Sequence, residues 1–254
     1  MGKIMEDNLF SASERERYAR QLAMPEFGEE AQRRLRDGSV LVIGAGGLGS
    51  PAALYLAAAG IGRLGIVDGD TVDLSNLQRQ VLHSTSRIGR FKTESAAAVL
   101  ADLNPEVEVE AVDEFVTADN IADLIGDYDF IIDATDSFTA KRLINDTCVR
   151  AAKPLSHGAI WRQFGHTMTI LPGTPCYSCL FDTDPVEAIA RGPLGVTAGI
   201  LGTIQAAEAI KYISGTGALL TGTLLRFDTL SMTFDRISVP LNPYCTNNHS
   251  HHES

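Results

Sequence analysis

The chain has 254 residues, 44% of them hydrophobic and 21% charged, enough apolar material for one large α/β domain or a domain with an appendage. Its 21 Lys and Arg stand against 32 Asp and Glu, a formal charge of -11, which argues against non-specific nucleic-acid binding because phosphates would repel such a surface. No apolar run reaches the roughly 18–20 residues of a membrane span, and the opening ten residues carry acids without the apolar stretch of a secretory signal, so a cytoplasmic protein with no membrane partner is expected.

Residues 13–36 are charged and amphipathic, and Ser13 with Glu16 three positions on reads as a capping box. Residues 39–44 form a short apolar strand ending in glycine, and an alanine-rich helix follows over 51–59 with proline in its first turn. A second buried strand is expected at 63–68, a helix at 92–103, a strand at 107–112, a helix at 120–125, a strand at 129–133 and a helix at 141–152. This alternation predicts an α/β fold, a Rossmann-like, doubly wound and mostly parallel sheet with helices on both faces. The pattern then changes: residues 160–171 and 221–239 alternate apolar and polar positions as antiparallel strands do, and 196–213 reads as a long apolar helix between them. Residues 182–193 carry Pro and Gly without periodicity, and a mobile loop is expected there.

The motif Gly44-Ala45-Gly46-Gly47-Leu48-Gly49 satisfies G-x-G-x-x-G between a strand and a helix. Such glycines let the backbone approach a phosphate, and the helix start behind them supplies unpaired N–H groups. Asp68 ends the second strand, where an acid takes ribose hydroxyls in dinucleotide folds. The fingerprint alone suggests an NAD-dependent oxidoreductase. The run that follows does not fit that reading: Asp68 to Gln80 is dense in polar groups, and Arg79 with Lys92 would clamp a triphosphate. Asp136, after the strand at 129–133, is placed to hold Mg²⁺ together with phosphates. Each residue also has a plainer reading: Arg79 paired with Asp70 or Asp73, Lys92 a solvated helix residue, Asp136 a helix cap. Together the groups describe a site for ATP and Mg²⁺.

In these motifs the chain resembles the MoeB/ThiF family of adenylating enzymes, relatives of the catalytic half of ubiquitin-activating enzymes. The matching stretches are Arg17-Tyr18-Ala19-Arg20-Gln21, Gly44 to Gly49, Asp68 to Gln80, Lys92, Ala134 to Ser137 and Pro175-Cys176-Tyr177-Ser178-Cys179. The resemblance implies one adenylation domain over 1–254, with a nucleotide-binding half at 13–158 and a carrier-binding antiparallel half at 159–254. It implies that Asp68 binds the ribose and that Gly44, Gly46, Gly47 and Gly49 lie along the phosphates. Asn76, Arg79 and Lys92 would hold the triphosphate, with Asp70, Ser75, Gln78 and Ser137 lining the site, and Asp136 would bind Mg²⁺. Arg20 would pass into the neighbouring subunit's site, which makes a homodimer the working unit. The implied partner is a ubiquitin-like sulfur carrier ending in Gly-Gly, with molybdopterin synthesis preferred over thiamin synthesis or tRNA thiolation. A catalytically silent scaffold is the alternative.

Four cysteines do not form a disulfide framework, and a reducing compartment favours metal binding. Cys176 and Cys179 follow a turn-rich Pro172-Gly-Thr-Pro175 segment that suits a structural zinc knuckle. The family completes this site with a second C-x-x-C. Here Cys245 keeps its first cysteine while Asn248 stands in place of the second, with His249 one residue further. A Zn²⁺ site of Cys176, Cys179, Cys245 and His249 is chemically reasonable, and free thiols with a solvated histidine tail are the other reading. Cys148 lies in an apolar helix pattern and reads as a small buried hydrophobe. No cysteine falls in 182–193, so adenylation without a covalent enzyme–carrier intermediate is expected. A separate sulfur donor is expected as well, because no rhodanese-like segment follows.

Overall fold

The structure is a computed structural model and describes residues 10–181 and 192–247. Its centre is an eight-stranded sheet built from β1 (Ser39–Ile43), β2 (Arg63–Val67), β3 (Glu108–Val112), β4 (Phe130–Asp133), β5 (Leu155–Trp161), β6 (Phe164–Ile170), β7 (Thr223–Asp228) and β8 (Thr233–Ser238). The spatial order is β3-β2-β1-β4-β5-β6-β7-β8. The strands from β3 to β5 are parallel, and β6, β7 and β8 continue antiparallel.

All five residues of β1 are buried, which is why it reads as a continuous apolar run and not as an alternation. Val40 and Val42 pack on one face with α3 (Gly28–Asp37), α4 (Gly49–Ala59), α5 (Lys92–Leu103) and α9 (Gly195–Ser214). Leu41 and Ile43 pack on the other with α6 (Ile121–Gly126), α7 (Phe138–Arg150) and the short α8 (Tyr177–Leu180). Helices thus cover both faces, as the alternating pattern requires. Cys148, fully buried in that second layer, is the small hydrophobe expected, and burial pushes its thiol up.

Two sequence expectations are corrected at the level of elements. The capping box is not Ser13 with Glu16. Ser11 Oγ accepts the Glu14 N–H at 3.2 Å and Glu14 Oε2 accepts the Ser11 N–H at 2.6 Å, opening α1 (Ala12–Arg17). The sequence offers both frames; the upstream one places buried Phe10 just before the cap, under the Arg36 guanidinium, where it fixes the chain's entry. The antiparallel pattern also does not begin at residue 160. β5 starts at Leu155, pairs parallel with β4 and antiparallel with β6, so the expected division at 158 falls inside one strand. Most of the expected loop at 182–193 lies outside the described residues.

The junction of α1 and α2 (Ala19–Leu22) is tied to the sheet domain through a buried amide. Asn104 Nδ2 donates to Tyr18 Oη at 2.9 Å and to the Ala57 carbonyl at 2.7 Å. Asn104→Ala strands both acceptors and is expected to cost about 1–3 kcal/mol, read by urea unfolding. Hydrogen exchange should show loosening in residues 11–22 first.

Candidate active site

The strand order reverses beside β1: the chain runs outward through β2 and β3, then returns to place β4 on the other side. In open α/β sheets ligands bind at that crevice, outside the carboxyl ends of the strands. Here the crevice is walled by the glycine loop after β1 and by residues 134–137 after β4. The two loops interlock. Gly44 has φ +102°, and a Cβ there would meet the Ala134 carbonyl oxygen at 2.8 Å. A Cβ on Gly49 would meet the Gly44 oxygen at 1.8 Å, so the helix start can close on the loop only as glycine. Gly46 by contrast is open, with only Gln80 Nε2 at 3.6 Å from its would-be Cβ.

The Ala45 peptide is clamped from both ends. Its N–H donates to Asp68 Oδ2 at 2.8 Å, and its carbonyl accepts from His83 Nε2 at 2.8 Å. Ser95 Oγ lies 2.9 Å from His83 Nδ1. Burial, aided by Lys92, holds the His83 pKa below its usual range, so the ring is neutral and Nδ1 accepts the serine proton. Sequence reading missed His83; a histidine closing the polar run from Asp68 was the only signal.

Asp68 also accepts the Asp70 N–H at 2.8 Å. Lys92, first residue of α5, is buried with Nζ 2.8 Å from Asp70 Oδ2 and 3.7 Å from Asp68 Oδ2. It is not a solvated helix residue. Arg79 pairs with neither Asp70 nor Asp73: its Nη1 donates to the Ser75 carbonyl at 3.3 Å, and its Cγ would lie 3.4 Å from a Cβ on Gly47. Asp73 instead caps the short turn Leu74–Asn76, accepting the Ser75 N–H at 2.8 Å. Asn76, Ser75 and Gln78 line this run, and the Gln78 carbonyl presses on Gly195 at the start of α9. Gln80 is buried beneath it, with its Nε2 toward Gly46 and its Oε1 without a hydrogen-bond partner among the described residues.

On the opposite wall, Ser137 caps α7, its Oγ accepting the Ala140 N–H at 3.4 Å. The capping role considered for Asp136 therefore falls to its neighbour, and Asp136 stays exposed without a hydrogen-bond or ion-pair partner among the described residues. Below it lies a cluster that sequence reading missed. Asp133 is 1% exposed and takes Lys141 Nζ at 3.2 Å on both oxygens and His157 Nδ1 at 3.1 Å. His157 Nε2 in turn faces His166 Nε2 at 3.4 Å. Burial alone would raise the Asp133 pKa; the Lys141 charge and the His157 hydrogen bond outweigh it and hold the group at about 2.

Arg20 lies on the exposed side of α2, whose neighbour Gln21 donates to the Ala59 carbonyl at 3.0 Å. Ala59 ends α4, and the glycine loop is at the other end of that helix, about 15 Å away at 1.5 Å per residue. Arg20 is therefore not brought to the site of its own chain. Cys176, Cys179 and Cys245 do converge, with all three Sγ atoms within 4.8 Å of one another and Cys176–Cys245 at 3.7 Å. A tetrahedral zinc with Zn–S near 2.3 Å sets sulfurs roughly 3.8 Å apart, so the triad fits that ion. His249 lies outside the described residues; Asn247 and Asn145 amides approach Cys176 Sγ at 3.6 and 3.7 Å.

Lys141→Met leaves Asp133 buried without its cation, at an expected cost of about 3–5 kcal/mol in urea unfolding. The Asp133 pKa is about 2 in the folded protein against roughly 3.9 unfolded. Its contribution is thus complete above about pH 4 and lost as pH falls toward 2. In Lys141→Met the cation that holds this pKa down is gone, so the variant's deficit in urea unfolding should be largest above about pH 4 and shrink as pH falls toward 2.

The sequence pattern of the ThiF family matches residues 18–247. The SAMP-activating enzyme E1 of Haloferax volcanii is 44% identical over 239 residues, 92% of this chain and 88% of that one. A sulfur carrier protein adenylyltransferase of Thermus thermophilus is 41% identical over 247 residues, 93% of this chain and 91% of that one. The adenylyltransferase and sulfurtransferase MOCS3-1 of Zea mays is 46% identical over 221 residues, 85% of this chain but only 47% of its own length, so this chain spans about half of that relative. Among solved structures, PaaA superimposes with a TM-score of 0.79 at 25% identity, over 94% of this chain and 77% of that one. Escherichia coli MccB, crystallised with ATP, does so at 0.75 and 24% identity, over 85% and 68%, a likeness of fold. With the family pattern running through both loops of the crevice and relatives above 40% identity along most of their length, the chain belongs to the ThiF family.

Proposed function

We propose that this protein adenylates the C-terminal glycine carboxylate of a ubiquitin-like sulfur-carrier protein with ATP, releasing pyrophosphate. The names of the Haloferax and Thermus relatives support the substrate class. The observation that carries the reading is the crevice itself: an open glycine loop, two cations beside it, and an unpartnered carboxylate opposite. A carboxylate is already a nucleophile at neutral pH, so the transfer to the α-phosphorus needs no general base. Positioning and neutralisation of phosphate charge suffice.

In this reading Gly46 and Gly47 lie along the phosphates and Asp68 takes the ribose. Asn76, Arg79 and Lys92 hold the triphosphate, and Asp70 keeps Lys92 aimed into the crevice until phosphate replaces it. Asp136 is a single exposed carboxylate, which suits Mg²⁺ shared with phosphate oxygens. Mg²⁺ held there by Asp136 would supply charge neutralisation for the phosphates. Arg20 completes the site of the second subunit of a homodimer, consistent with its distance from the glycine loop of its own chain. The carrier docks on the antiparallel strands β6, β7 and β8 and extends its Gly-Gly tail to the nucleotide. Sulfur from a separate donor then attacks the carbonyl of the acyl-adenylate and AMP leaves, without a covalent enzyme–carrier step. The three cysteines hold a structural Zn²⁺, with His249 as its fourth ligand.

Arg20→Ala and Asp136→Ala remove exposed groups without partners among the described residues and should each lower ATP–pyrophosphate exchange at least about 100-fold, with folding unchanged. Mixing the two inactive variants should restore about a quarter of wild-type activity, since half the dimers are mixed and each carries one intact site. No recovery would mean that Arg20 acts within its own chain or not at all. For the zinc, metal analysis after dialysis should give one Zn²⁺ per chain, lost in Cys245→Ser. Zinc-free protein with three titratable thiols would remove this assignment.

A further inference from the structure

Asp133 is the last residue of β4, and the loop that carries Asp136 begins on its carboxylate. Lys141 from α7 and His157 from β5 bind it from behind. From the front, Thr135 closes a turn on the same group, donating its Oγ1–H at 2.7 Å and its N–H at 3.1 Å to Oδ1. Gln205 of α9 fixes the backbone of that strand end, donating to the Asp133 carbonyl at 2.9 Å, and the Ala134 carbonyl rests on Gly44. Asp136 has no such support. Its place relative to the glycine loop is set through Thr135.

The chemistry of the acceptor matters. Thr135, Lys141 and His157 all present donors, and a carboxylate accepts from every one of them. An amide or a protonated acid would turn an N–H or O–H against one of these donors. A charged residue is therefore required at this buried position, which a plain strand end would not need.

We propose that Asp133 is a positioning residue for the cation at Asp136: through Thr135 it holds the Asp136 carboxylate where a metal bound to the nucleotide is met. This rests on the reading of Asp136 given above. Groups that orient a metal ligand without touching the metal set its affinity, and losing one that hydrogen-bonds the ligand directly costs roughly 10–100-fold; Asp133 acts one step further back, through the backbone of the Thr135 turn.

Asp133→Asn endangers the fold through Lys141, so the test uses Thr135→Val, which removes one donor and leaves the buried ion pair intact. Mn²⁺ is titrated into the full-length protein with ATP present and followed by electron paramagnetic resonance. Thr135→Val should need at least about tenfold more Mn²⁺ for half-saturation, with metal-free ATP binding and thermal stability near wild type; Thr135→Ser, which keeps the hydroxyl, should restore the wild-type titration. A Thr135→Val titration equal to wild type overturns the proposal, as does a loss of Mn²⁺ affinity that only parallels a loss of stability. A wild-type protein that takes up no Mn²⁺ with ATP overturns both the proposal and the functional reading beneath it.

Discussion

The site depends on one steric fact: the glycine loop after β1 and the turn after β4 touch through backbone, with no room for a side chain between them. Gly44 leaves room for the Ala134 carbonyl where any Cβ would collide, and Gly49 lets α4 begin against Gly44 itself. Two loops that would otherwise move independently become one surface. That surface lies where the strand order reverses, so the sheet topology and the glycines create the crevice together. Binding groups on its two walls then have a fixed separation before any ligand arrives, which is the condition for catalysis by positioning.

Charge is arranged around this crevice in two different ways. Lys92 and the Asp133 cluster are buried and paired, and their carboxylates hold backbone: Asp68 the Ala45 N–H, Asp133 the Thr135 turn. Asp136 and Arg20 are exposed and have no hydrogen-bond or ion-pair partner among the described residues. The buried groups set geometry at the cost of desolvation, which good pairing offsets. The exposed ones retain their full capacity for a ligand or a second subunit.

Much of this was legible in the sequence because the relevant signals are local. Strand, glycine motif and helix are contiguous, and continuous apolar runs such as residues 39–43 announce strands buried on both faces. Lys92 and Asp136 stand out in the sequence as candidates, but their plainer readings are excluded only by the structure, which shows Lys92 paired and Ser137 doing the capping. Asp133, Lys141, His157 and His83 escaped notice because their meaning is long-range. Asp133 reads as the polar end of an apolar strand until residues 8 and 24 positions away are folded onto it. The misplaced helix cap failed for the opposite reason: the sequence offers two equivalent local frames, and the burial of Phe10 decides between them.

The central claim is the adenylation of a carrier's terminal carboxylate, and ATP–pyrophosphate exchange tests it most directly. Exchange is measured with a panel of ubiquitin-like carriers ending in Gly-Gly and with the same carriers lacking the final glycine. The account expects exchange with at least one intact carrier and none with its truncated form. Exchange that ignores the tail, or ATP binding with no exchange for any carrier, would contradict it.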